Sequence, residues 1–212
     1  MARNRKSFWK LMNISPAAPP RVFNFNIVLA SQSPRRRELM QMLVPDVVVA
    51  STKDVDENYP ASLAAEQVPE WLSRHKAEAY VADLRDGEVL VTADTVVIVD
   101  GDILGKPADE AEACAMLRRL SGRTHTVVTG VTLSHTGGRD SFSEHTEVEM
   151  APLTDSEIEA YVRTFRPLDK AGAYGIQEWI GGIGIRGIRG CFYNVMGLPL
   201  HALYTHLKSL PL

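Results

Sequence analysis

Leu29-Ala30-Ser31-Gln32-Ser33-Pro34-Arg35-Arg36-Arg37-Glu38-Leu39 is the stretch on which the reading of this 212-residue chain turns. Ile27-Val28-Leu29 before it reads as a short buried strand, and Glu38 to Leu43 after it as the first turns of a helix. Proline suits the first helical position because it has no N–H to leave unpaired and its φ is already helical. Two hydroxyls, Ser31 and Ser33, and the guanidiniums of Arg35 and Arg36 stand at the join. A strand-to-helix join with free backbone N–H groups, hydroxyl donors and arginines suits an anion, most simply a phosphate. Taken alone, the run reads equally well as a solvated basic helix start.

Outward from this join, strand and helix patterns alternate, which predicts an α/β class. Val47-Val48-Val49 reads as a second strand, followed by an acidic loop holding Asp54, Asp56 and Glu57. A helix is predicted over Pro69 to Leu84, with Lys76 inside it. Val89 to Ala93 is an apolar run ending at Asp94-Thr95, and Val96 to Val99 reads as a further strand. Asp100-Gly101-Asp102 is a turn and Leu104-Gly105-Lys106-Pro107 a loop before a helix from Asp109 to Leu120. Thr124 to Ser134 and Ser141 to Met150, joined through Gly137-Gly138, read as a hairpin, so the sheet is expected to be mixed. Thr154 with Glu157 forms a capping box for a helix to about Phe165, and Leu200 to Leu210 reads as a last helix. The expected architecture is one domain over residues 25–212, a central mixed sheet flanked by helices, after a basic extension over residues 1–24.

Bulk properties narrow the function classes. Net charge is −3, with +5 in the first 24 residues and −8 in the rest, which argues against a nucleic-acid partner. No apolar run approaches the ~18 residues of a membrane span, and no secretory signal precedes the domain. Two cysteines without metal-ligand spacing fit a reducing, cytoplasmic setting. Gly182 to Gly187 matches GxGxxG, but none of the 25 residues after Gly187 is acidic, so a dinucleotide site is rejected.

What remains is a set of cations (Arg35, Arg36, Lys76, Lys106, Lys170) and a set of carboxylates (Asp54, Asp56, Glu57, Asp94). Phosphoanhydride cleavage needs both. Cations neutralise charge that builds on phosphate oxygens, and carboxylates hold a divalent metal and activate water. Hard oxygen ligands beside phosphates suit Mg²⁺ or Mn²⁺, with Asp54, Asp56, Glu57 and Asp94 the carboxylates available. Asp94 is expected where a strand ends, the usual place for ligands in open sheets. An Asp there also reads as a turn cap, Lys76 and Lys106 as solvated lysines, Asp169-Lys170 as a turn pair and Gln177 as a loop tie.

Six motifs carry a resemblance. They are Leu29-Ala30-Ser31-x-Ser33-Pro34-Arg35-Arg36, Ala93-Asp94-Thr95-Val96-Val97, Leu104-Gly105-Lys106-Pro107, Leu120-Ser121-Gly122-x-x-His125-x-Val127-x-Thr129-Gly130-Val131, Pro167-Leu168-Asp169-Lys170-Ala171-Gly172-Ala173-Tyr174-Gly175-Ile176-Gln177 and Asn194-Val195-x-Gly197-Leu198-Pro199-Leu200. In this order, over roughly residues 27 to 203, they resemble the Maf family of nucleoside triphosphate pyrophosphatases, also discussed as septum-formation inhibitors. The resemblance implies hydrolysis between the α- and β-phosphates with a divalent metal, a central cleft, and often a homodimer. It implies Asp94 as proton acceptor and Arg35, Thr95 and Gln177 as residues of substrate choice. Ser31, Arg36, Glu57, Lys76 and Lys106 match other active-site positions, with Ser31, Ser33, Arg36, Lys76 and Lys106 expected at the phosphates and Glu57 and Asp94 at the metal. The Ser-Pro-Arg-Arg start and the Tyr-Gly-Ile-Gln loop look like the branch acting on dTTP and UTP. A branch acting on 7-methyl-GTP, which tends to have Trp after Ser-Pro, and a nucleotide-binding regulator of division are the alternatives. Gln32, Glu178-Trp179 and Cys191 depart from the usual pattern.

Overall fold

The computed structural model describes residues 19–212. Most of the expected 1–24 extension therefore lies outside the described residues. The described chain forms a seven-stranded mixed sheet in the order β2-β1-β3-β5-β6-β7, with β4 pairing on β3. The strands are β1 (Asn26–Leu29), β2 (Val48–Val49), β3 (Glu88–Val99), β4 (Asp102–Leu104), β5 (Thr124–His135), β6 (Gly138–Met150) and β7 (Ile185–Arg189). Helices are α1 (Pro34–Leu43), α2 (Val68–Glu78), α3 (Glu110–Leu120), α4 (Asp155–Phe165), α5 (Trp179–Gly184), α6 (Phe192–Val195) and α7 (Leu200–Ser209). β1 runs parallel to β2 and β3, and the other pairings are antiparallel.

Several helix ends follow from single residues. Ser33 caps α1 by accepting from Arg36 N, with Pro34 in the first turn. Asp109 caps α3 by accepting from Glu112 N. Thr154 and Glu157 complete a capping box at α4. Each such cap stabilises its helix by ~1 kcal/mol.

Two expectations need correction. Val89–Ala93 and Val96–Val99 are not two strands but the single strand β3, and Asp94 lies in its middle. The reason is continuous pairing: every residue from Leu90 to Ile98 has a partner on β5. The helix expected over Pro69 to Leu84 ends at Glu78, and a 3-10 turn follows at Val81–Asp83. Tyr80 turns inward at that break, and its hydroxyl accepts from Lys53 N at 2.8 Å. The Gly-rich run over Gly181 to Gly190 is half helix and half strand (α5 and β7). Helix precedes strand there, the reverse of a dinucleotide fold.

β1 and β4 share one edge of β3 but cover different parts of it. β1 pairs with residues 88–91 and β4 with residues 97–99. The edge between them, around Asp94 and Thr95, has no strand partner among the described residues, while β5 pairs the opposite edge throughout. The core divides at the same level. Ile27, Leu29, Leu39, Val91, Ala93, Val131 and Leu203 belong to one apolar cluster. Val97, Val99, Leu117, Val127, Ile158 and Tyr161 belong to another. Thr95 and Thr129 sit on the shared face of β3 and β5 between them, hydrogen-bonded to each other at 2.9 Å. A cleft opens at the seam.

Candidate active site

The cleft has a volume of about 520 Å³, within the range of small-molecule sites. Ser31, Ser33, Arg35, Arg36, Glu57, Lys76, Asp94, Thr95, Lys106 and Gln177 all line it. The ten candidates come from β1's end, α1, the loop before α2, α2, β3 and two further loops, so only tertiary folding assembles them.

Asp94 and Thr95, being successive strand residues, face opposite ways. Asp94 points toward α2. Lys76 Nζ on that helix donates to Asp94 Oδ1 at 2.6 Å and meets Glu57 Oε1 at 2.8 Å. One ammonium thus joins the two candidate metal ligands. Burial acts to raise the Glu57 carboxyl, but Lys76, Lys106 and Arg36 outweigh it and hold the group below its ordinary range. Gly130 opposes Asp94 on β5, and a Cβ there would lie 2.2 Å from Glu70 N in the first turn of α2. Glycine therefore lets α2 pack directly on the sheet and bring Lys76 to Asp94. Ser73 and Thr92 fasten the helix further, Thr92 Oγ1 donating to Ser73 O at 2.7 Å.

Thr95 faces α1. Arg36 donates from Nη2 to Thr95 Oγ1 at 2.9 Å and from Nε to Gly197 O at 2.8 Å. Gly197 takes φ +110°, a conformation that side chains disfavour, to present that carbonyl. Asn194 supports the seam from below: its Nδ2 lies within hydrogen-bond distance of Val127 O, Glu144 O and Thr146 Oγ1, and its backbone carbonyl accepts from Thr129. Burial lowers the Arg36 pKa against the pull of Asp94, and the guanidinium stays charged. Ser31 Oγ accepts from Ser33 N and Ser33 Oγ from Arg36 N. Both hydroxyls keep a proton to donate to an anion.

The rim is built differently. Arg35 donates to Asp169 Oδ2 at 2.6 Å, and Lys170 Nζ donates to Asp169 Oδ1 at 2.7 Å. Burial acts to raise the Asp169 carboxyl, yet these two cations bring it down to about 2. Gln177 is exposed at the cleft edge. Lys106 is exposed, and no ion pair engages it among the described residues. Gly172 N donates to Gly105 O at 3.0 Å, which ties the Lys106 loop to the loop before Gln177.

Asp54 lines the cleft with Glu57, whereas Asp56 turns away, accepting from Asn58. Sequence reasoning gave no site role to Lys53 or Tyr161, and Thr129 and Asn194 stand in the quoted motifs without one. Lys53 and Thr129 carry no spacing signal, and Asn194 and Tyr161 act from buried positions. Among the described residues no group of three or more His, Cys, Asp or Glu side chains is gathered for a metal. No helix there is long and apolar enough to cross a membrane.

Comparison with known proteins extends this picture. A family model described as Maf-like protein matches residues 26–210. A dTTP/UTP pyrophosphatase of Bacteroides thetaiotaomicron is 53% identical over 186 residues, covering 88% of this chain and 96% of that one. A dTTP/UTP pyrophosphatase of Porphyromonas gingivalis is 55% identical over 187 residues, covering 87% of this chain and 94% of its own. Among solved structures, the Staphylococcus aureus Ham1 protein matches 59% of this chain and 72% of its own at 20% identity and TM-score 0.45, too remote to bear on function. With nearly the whole described chain matched by the family model and by relatives of this identity, the chain belongs to the Maf family.

Proposed function

We propose that this chain hydrolyses dTTP and UTP between the α- and β-phosphates, releasing the nucleoside monophosphate and pyrophosphate. The observation that carries the proposal is the Glu57–Lys76–Asp94 cluster facing Arg36 and Lys106 across one cleft, in a chain about half identical to proteins named dTTP/UTP pyrophosphatases. Arg36, Lys106 and the Ser31 and Ser33 hydroxyls bind the triphosphate. Water attacks the α-phosphorus, its proton passes to Asp94, and pyrophosphate leaves with the electrons of the broken bond. Lys76 orients the Asp94 carboxylate through its 2.6 Å hydrogen bond, and geometry is the first requirement of a proton acceptor. Cations already in place stabilise the developing phosphate charge without reorganising.

The carboxylate oxygens of Glu57 and Asp94 that Lys76 does not engage would hold a hard divalent cation. Two carboxylates beside a phosphate site are what Mg²⁺ or Mn²⁺ requires, since such ions complete their shells with substrate oxygens and water. When bound, the cation supplies neutralisation of phosphate charge. At the rim, Gln177 offers both a donor and an acceptor to the imide edge of thymine or uracil. Arg35 offers a forked donor to a carbonyl or phosphate, and Thr95 orients Arg36. The enzyme acts as a homodimer without nucleic acid, which light scattering checks.

The test is product identification. Purified protein with Mg²⁺ or Mn²⁺ is given dTTP, UTP, CTP, ATP, GTP and 7-methyl-GTP separately. Pyrophosphate from dTTP and UTP is the expected result. Pyrophosphate chiefly from 7-methyl-GTP would overturn the base assignment, and orthophosphate would overturn the bond assignment.

A further inference from the structure

Behind Arg35 lies a chain of four alternating charges that ends on a buried phenol. Arg35 donates from Nη1 to Asp169 Oδ2 at 2.6 Å and from Nη2 to the Asp169 carbonyl at 3.3 Å. Lys170 Nζ is 2.7 Å from Asp169 Oδ1 and 3.4 Å from Glu178 Oε1. Glu178 Oε2 in turn accepts from the Tyr161 hydroxyl at 2.5 Å. The side chains of Lys170 and Glu178 are only 8% and 13% exposed, and Tyr161 is fully buried in the cluster beneath α4. A buried ammonium needs its carboxylates, so Lys170 locks Asp169 and Glu178 into one arrangement. The Tyr161 hydroxyl also accepts from Gly175 N at 3.0 Å, two residues before Gln177. A Cβ at Gly175 would lie 2.9 Å from the Glu178 carboxyl carbon, so glycine lets Glu178 fold under the loop.

We propose that Asp169 is the positioning residue of the site: anchored through Lys170 and Glu178 to Tyr161, it holds the Arg35 guanidinium in one plane at the cleft rim and couples it to the Gln177 loop. The forked contact is what sets the plane. A guanidinium held at Nη1 and Nη2 by one residue cannot rotate freely, and Arg35 lines the cleft. Both Asp169 carboxylate oxygens are taken by Arg35 and Lys170, so its work appears in substrate capture and base choice and not in bond cleavage. Glu178, joined to both Lys170 and Tyr161, belongs to the same device. This inference rests on the proposed dTTP/UTP reading.

The experiment is a double-mutant cycle of Asp169→Asn and Arg35→Ala, read as KM and kcat for dTTP and UTP. Asp169→Asn keeps the shape and removes the charge. Its KM should rise about tenfold with kcat nearly unchanged, the scale of one charge-assisted hydrogen bond. In the Arg35→Ala background Asp169→Asn should add nothing, because coupled residues are not additive. Asp169→Glu should recover part of the lost KM. Tyr161→Phe, which keeps the packing, should lower the preference for dTTP and UTP over CTP. Thermal midpoints of all variants accompany the kinetics. Additive effects, an unchanged KM in Asp169→Asn, or a kcat loss that follows thermal stability would overturn the inference while leaving the activity intact. A wild-type protein that cleaves neither dTTP nor UTP would overturn the functional reading instead, and this inference with it.

Discussion

Asp94 and Thr95 are adjacent in sequence and serve two different environments. On the Asp94 face, charge is concentrated: Lys76 sits between two carboxylates, and the Lys76 and Asp94 side chains keep 17% and 13% exposure. On the Thr95 face, charge is kept single and hydrogen bonds do the rest, with Thr129 and Asn194 fully buried around one guanidinium. The difference teaches how a strand can carry a reactive site in mid-sheet. The charged face stays open to solvent and substrate. The hydrogen-bonded face closes the seam between two apolar clusters. An unpaired stretch of β3 edge makes both faces reachable from one cleft.

The sharpest way to break this comparison is at Asp94. Asp94→Asn should lower kcat by about 10³-fold, within the range for a lost general base, while nucleotide binding measured by calorimetry is largely retained. Near-normal turnover would remove Asp94 as the proton acceptor. Gly130→Ala probes the same face through its support. The added methyl meets helix backbone and not a side chain that can swing aside, so α2 must shift and carry Lys76 away. A loss of about 3 kcal/mol or more in urea unfolding is expected, and an unchanged midpoint would refute the close-packing account.

On the Thr95 face the prediction concerns pH. His125 is buried in the cluster below the seam, its Nε2 2.7 Å from the Tyr174 hydroxyl. Burial pulls its pKa down from 6.5 to about 4. The unfolded chain binds a proton at this residue between those values and the folded chain does not, so stability falls as pH drops from about 6.5 toward 4, by up to roughly 3 kcal/mol. Above pH 6.5 the residue contributes no slope. Thermal melts of His125→Gln should lose that acid-side slope, and a slope unaltered by the substitution would exclude His125 as its source. The smallest effect is expected from Thr95→Val. It removes the hydroxyl shared by Arg36 and Thr129, which costs about 1 kcal/mol of stability and raises KM modestly. If it lowered kcat as severely as Asp94→Asn, the division of labour between the two faces would be wrong.

Much of this was legible in the chain itself. The start of α1, the caps at Asp109 and Thr154 and the β5–β6 hairpin are local chemistry, and sequence spacing finds local chemistry. The error at β3 has a physical cause. Aspartate is disfavoured in strands, so Asp94-Thr95 read as a strand's end, whereas nine consecutive pairings with β5 carry the strand through it. β7 was missed for a related reason: Ile185-Arg186-Gly187-Ile188-Arg189 has a weak pattern of its own and forms on the edge that β6 offers. The candidate residues were readable as types suited to phosphate chemistry. Their partners were not: Asp169 looked like half of a turn pair, and nothing nearby in sequence connects it to Arg35.

The sequence by itself determined the kinds of group available, the alternation of strand and helix, and the motifs of the Maf family. The tertiary structure alone decided that β1 stops short and β4 begins late on β3, leaving the β3 edge at Asp94 and Thr95 without a strand partner among the described residues. It alone decided that Lys76 reaches Asp94 from α2 and that Asp169 reaches Arg35 across 134 positions of chain. The physical reason is that residue type and local spacing act within a few positions, whereas these contacts depend on which surfaces the sheet and its helices bury together.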